Sequence, residues 1–197
     1  MTILIRNIKK YDNGKIRLIG GQSTNIYLKA FLFLLTFCLF HYGYEITGMA
    51  FLKPFCGTNE SVFQHLKMAF WGYALLSLIE FLLLKRRIKG SINNFVYSRM
   101  LSAVLVPWVI LLTWYLLPAV LGKVESLFFE VLWSVLVTYL SGLFVIRIER
   151  ETEKIQFQVG TRVILCVLVA ISIVLFVVFT YRQPWIDLFV NPETLNK

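Results

Sequence analysis

The chain has 197 residues, of which 58% are hydrophobic and only 16% charged, with a mean hydropathy of +0.71 and a formal charge of +9. That balance excludes an ordinary water-soluble globule, which has nowhere to put so much apolar surface. The positive excess sits in short stretches beside apolar runs, where it sets orientation and meets anionic head groups, so nucleic acid is not an expected partner.

The first 26 residues form a basic segment. Around Asp12-Asn13-Gly14 the stretch TILIRNIKKYDNGKIRLIG alternates apolar and polar residues, the pattern of a short interfacial β-hairpin, with a basic amphipathic tail as the alternative. The first apolar run follows this charged stretch, is too long for a signal-peptide core and lacks a small-residue cleavage site, so it reads as a retained span.

A hydrocarbon core about 30 Å thick requires roughly 20 apolar residues per helix. Five windows meet this, over residues 27–49, 62–84, 99–121, 126–148 and 163–181. Backbone groups in lipid must pair within their own segment, and runs such as VILCVLVAISIVLFVVF (163–179) lack the alternation of a barrel strand. The expected class is therefore an all-α integral membrane bundle of five transmembrane helices over 27–181, followed by a tail over 182–197. Pro107 and Pro118 in the third span free the carbonyls of Ala103 and Trp114 and predict kinks.

Lys53, Lys67, Lys123, Arg182 and Lys197 fall on one side of these spans, and the other fifteen of the 20 basic residues fall on the opposite side. The latter include Lys29 and Arg99, at the starts of the first and third spans. The positive-inside rule makes that side cytoplasmic, with the N-terminus inside, the C-terminus outside and the cell membrane as location. Glu80, late in the second span, is expected to snorkel toward Lys85 or Arg86.

Ionisable residues inside spans are costly and mark function or a buried partner. An antiparallel bundle brings them to one level at the outer leaflet: His41, Tyr44 and Glu45 from the first span; Asn59, Glu60, Gln64, His65 and Lys67 from the start of the second; Glu130 from the fourth; and Asp187 after the fifth. His41 and Glu45 stand at i and i+4 on one helix face, and Ser61 with Gln64 fits a capping box. His41 and His65 with a carboxylate, Glu45 first among them and Glu60, Glu130 or Asp187 as alternatives, form the minimum set for zinc or another divalent metal activating water. His41, Glu45, Glu60 and His65 are the candidate catalytic residues, and Tyr44, Asn59, Lys67 and Glu130 the candidate ligand contacts. Without a metal, His41 with Glu45 and Glu60 with Lys67 would be pairs that lock helices together. Cys38 and Cys166 read as small apolar packing residues, Cys56 stands alone in the first outer loop, and no disulfide is expected.

The stretches FHYGYEITG (40–48) and GTNESVFQHLKMAFW (57–71), with the ending TYRQPWIDLFVNP (180–192), resemble an uncharacterised family of small bacterial multi-span membrane proteins. The resemblance implies that His41, Tyr44, Glu45, Asn59, Glu60, Ser61, His65 and Lys67 belong to one unit. That family carries more aspartate near its tail than this chain, which has Asn191 before Pro192. Three function classes follow: a structural or ligand-binding protein whose partner is another membrane protein, a metal-dependent hydrolase or transferase on a lipid-type substrate, and a transport component. Against the last, the middle and inner parts of the bundle are read as holding few ionisable groups.

Overall fold

The computed structural model describes residues 25–86, 88, 91–122 and 126–191. The expected N-terminal hairpin lies outside them. Among the described residues the fold is all-α: α1 (Ile26–Thr47), α2 (Val62–Leu84), α3 (Ile92–Trp114), the short α4 (Leu116–Leu121), α5 (Leu127–Glu153) and α6 (Val159–Tyr181), with 3₁₀ turns at Ala50–Leu52 and Asp187–Phe189. All but α4 are long and apolar enough to cross a membrane, which makes five spanning helices. Their outer surfaces expose Phe31, Leu35, Leu132, Phe144 and Val174, a surface that belongs in hydrocarbon. The chain is a multi-pass membrane protein.

Asn25 caps α1 by accepting a hydrogen bond from the Tyr27 amide at 2.9 Å. The helix ends where Gly48 adopts φ 64°, a left-handed conformation that glycine enters without steric cost, and its N–H returns to the Tyr44 carbonyl. α3 starts at Ile92 rather than Arg99, and α5 runs on to Glu153 rather than 148. Both extensions place Arg99 inside the bundle, where it is not an interfacial charge but a buried group paired with acids late in α5. At its other end α3 stops at Trp114. Pro118 cannot donate to the Trp114 carbonyl, and the indole N–H of Trp133 on α5 does so instead at 3.2 Å.

α3 packs most extensively on α5, and α1 fills the space against α2 and α5. Small residues allow close approach. A Cβ at Gly72 would lie 3.2 Å from the Phe37 backbone nitrogen, so α2 and α1 touch backbone to backbone at that point. α6 is peripheral: of its residues only Leu165 is buried, and it rests mainly on α3.

The expectation of a bundle poor in ionisable groups away from the histidines does not hold. Lys29 of α1 donates to Glu80 of α2 and to Glu149 of α5. Arg99 of α3 donates through Nε to Glu80 at 3.0 Å and through Nη1 to Glu153 at 2.8 Å, while Nη2 stands 3.6 Å from Glu149. The Tyr73 hydroxyl donates to Glu149 at 2.6 Å, and the Phe95 carbonyl accepts from Arg99 at 3.1 Å. Glu80 therefore turns inward to two cations on other helices, because isolated charges in a low-dielectric interior are stabilised only by partners held there.

Removing one member strands the others. We expect Glu149→Ala to lower unfolding free energy by about 3–5 kcal/mol, measured by denaturant titration in detergent. Glu151→Ala, which breaks only the exposed pairs with Lys154 and Arg147, leaves stability unchanged within error. Equal effects of the two substitutions would contradict the network's role.

Candidate functional site

At the opposite end of the bundle, the chain leaves α1 at Gly48, passes the Ala50–Leu52 turn and returns through Gly57, whose amide donates to the Phe40 carbonyl at 3.0 Å. This bond draws the start of α2 against the end of α1. Asn59 accepts from the Ser61 amide at 3.0 Å and shapes the entry to α2. The capping box is not formed: Ser61 occupies the N-cap, but its hydroxyl makes no cap bond, and Gln64 is fully buried with neither amide atom partnered among the described residues.

The loop brings His41, Glu60 and His65 together, with one donor atom from each lying within 4.8 Å of the others. His41 Nε2 is 3.8 Å from Glu60 Oε1, and His65 Nε2 is 3.5 Å from Glu60 Oε2. The His65 Nδ1–H donates to the Ser61 carbonyl at 3.0 Å, which fixes the ring and leaves Nε2 facing Glu60. Phe37 stacks on both rings, at 6.4 Å from His41 and 6.3 Å from His65, holding them side by side. His41 Nδ1 is buried without a hydrogen-bond partner among the described residues. The cluster is partly open, with Glu60 the most exposed member.

Of the carboxylates considered from sequence, Glu60 joins the histidines. Glu45 is exposed on α1 outside the donor set, Glu130 is exposed in the first turn of α5, and Asp187 is exposed in the second 3₁₀ turn. The i, i+4 spacing singled out Glu45, which stands exposed one turn beyond His41, while the loop brings Glu60 to the histidines. Tyr44 packs beneath Lys53, whose Nζ lies 5.5 Å from the ring centre.

Lys67 does not pair with Glu60. It is fully buried on the other side of α2, donating to the Lys53 carbonyl at 2.7 Å and to Thr180 of α6 at 3.2 Å. An aromatic group made by Phe63, Phe176, Phe179 and Phe189 seals this side, with Phe63 and Phe189 rings 4.5 Å apart. Lys67 thus fastens the loop and the peripheral α6 to α2, while His65, two residues earlier, faces α1. The sequence reading missed Tyr73, Glu149 and Glu153, and it placed Lys29 and Arg99 at span ends rather than inside the bundle. The available signal was the unusual count of both charge signs at matching depths in α1, α2, α3 and α5.

All three cysteines are free thiols. Cys56 is buried in the loop, and burial pushes its thiol up, with nearby Lys67 acting in the opposite direction.

These features define a multi-pass membrane protein with a two-histidine, one-carboxylate cluster at one end and a buried ion network at the other. The chain belongs to a family of unknown function, DUF6512, which it matches over residues 20–195. No curated protein and no solved structure matches it.

The buried, predominantly protonated Cys56 should resist alkylation by maleimide at pH 7 in the folded protein and react fully after denaturation. Peptide mass spectrometry reads the two states, and rapid labelling of Cys56 in native protein would contradict its placement.

Proposed function

We propose that the protein resides in a bacterial cell membrane with its N-terminus inside and its C-terminus outside, and binds a divalent metal, zinc foremost, through His41, Glu60 and His65 at the outer-leaflet end of the bundle. The single observation that carries this reading is the spacing of the three donors. At 3.5 and 3.8 Å, the two histidine-to-carboxylate distances are too long for good hydrogen bonds. Donors sharing one tetrahedral zinc at its usual bond lengths stand about 3.4 Å apart; the two histidines approach different oxygens of Glu60, and one donor atom from each residue lies within 4.8 Å of the others, so an inward shift of roughly an ångström completes the set.

The donor chemistry fits. Two imidazoles and a carboxylate are a common zinc set, and the Ser61 carbonyl supplies the outer bond that orients His65. The basic residues flanking the other end of the bundle support the inside assignment of that end.

Three protein donors also favour a second reading, a hydrolase or transferase acting on a lipid-type substrate at the membrane surface. A bound zinc would supply Lewis acidity and a water of lowered pKa at its fourth position. His41, Glu60 and His65 would hold it there, and Glu45, one turn beyond His41 and outside the donor set, would be placed to accept a proton.

Purified protein in detergent should retain about one zinc per chain after dialysis, and zinc at 100 times its dissociation constant should stabilise the fold by about 2.7 kcal/mol. His41→Ala, His65→Ala and Glu60→Gln should each weaken binding by more than about 10-fold. Wild-type protein without metal, and with the same melting curve in chelator and in zinc, would sink the reading. Alkaline phosphatase joined after Lys197 should be active and the same fusion at the N-terminus inactive; the reverse result would invert the orientation. Chelator-sensitive fatty-acid release from phospholipid vesicles tests the enzyme reading.

A further inference from the structure

Between α2 and α3, beside the edge of α6, lies a cavity of about 370 Å³. It follows α2 from Phe70 to Phe81, a run of about 16 Å at the helical rise. Half of a hydrocarbon core about 30 Å thick has the same length. The cavity therefore extends through one leaflet, from the middle of the bundle to the end that carries the ion network, where Arg99 forms part of its wall.

A space of this size inside a membrane protein is filled by whatever the neighbouring medium supplies. Its lining is apolar almost throughout, and an ordered water requires two to four polar partners, so water is a poor occupant. Leu78 of α2, Val96 of α3 and Ile173 of α6 line the cavity and are also exposed on the outside of the bundle. The groove is thus continuous with the surface that the spanning helices turn toward lipid. Entry is lateral, between α2 and α3, past a peripheral α6 that buries little of its own surface.

The network end of the groove has the charge that a head group needs. One turn beyond Phe81, Lys85 and Arg86 close α2 and are both exposed. Arg99 itself is occupied by Glu80 and Glu153, and among the described residues Lys85 and Arg86, just past the end of α2, are exposed basic side chains at this boundary. Two adjacent basic side chains at the polar boundary favour anionic over zwitterionic lipid.

We propose that the groove holds one acyl chain of an anionic phospholipid whose head group rests on Lys85 and Arg86. The site is separate from the histidine cluster, and its occupancy does not depend on metal. It rests only on the protein's being a membrane bundle.

Native mass spectrometry of detergent-extracted protein, equilibrated beforehand in bilayers of equal phosphatidylglycerol and phosphatidylcholine, tests the proposal. Wild type should retain one phospholipid per chain, with phosphatidylglycerol preferred by roughly 30-fold, the worth of two basic side chains near a head group. Ala74→Phe, from the α2 wall, and Val169→Trp, from the α6 wall, should abolish retention by filling the space, while K85A/R86A should keep the lipid and lose the preference. The two filling variants act from different helices, so failure of one to fold leaves the other as the test. Wild type that retains no lipid, retention unchanged in a folded filling variant, or retention without head-group preference would each overturn the proposal.

Discussion

Two cations and three carboxylates cannot occupy the interior of an apolar bundle unless they hold one another, and the arrangement of α1, α2, α3 and α5 follows from that requirement. Lys29, Glu80, Arg99, Glu149 and Glu153 come from four different helices, so satisfying their charges fixes the mutual depth and rotation of all four. Apolar packing alone would not do this, because in lipid a leucine gains little by facing a helix rather than an acyl chain. Tyr73 adds a neutral donor to Glu149 and places its ring edge to face with Phe33, which connects the network to the packed core.

The helix outside this network behaves differently. α6 contributes none of the ion partners; it is held by contact with α3 and, at the histidine end, by Lys67 with Thr180 and the Phe63 aromatic group. A groove lies where α6 meets α2 and α3, lined almost wholly by apolar side chains.

The histidine cluster depends on the same frame. Its members come from α1, from the loop and from α2, and the α1–α2 pair is set by the backbone contact at Gly72 and by the Gly57 bond to Phe40. Phe37, one turn below His41, stacks on both imidazoles, so core packing extends into the site and limits how the rings turn. Lys67 and His65 are two residues apart yet serve opposite sides of α2, one closing the aromatic flank and the other facing the donor group.

The sequence by itself determined that the protein is an all-α bundle with five membrane-spanning helices, because hydrocarbon demands long apolar runs and internally paired backbones, and both are local properties. It also assigned His41, Glu60 and His65 to one end, along with Tyr44, Glu45, Lys67, Glu130 and Asp187, since antiparallel spans fix depth. What spacing along one helix could not decide was partnership: Glu45 shares a face with His41 but stands exposed one turn beyond it, while Glu60 reaches the histidines through a loop conformation set by Asn59 and Gly57. Lys29, Arg99 and Glu80 read as interfacial from their positions near span ends, and only the tertiary structure turned them inward. A side chain's depth is written in its own segment, whereas its direction depends on charges 50 to 120 residues away, as Lys29 depends on Glu80 and Glu149.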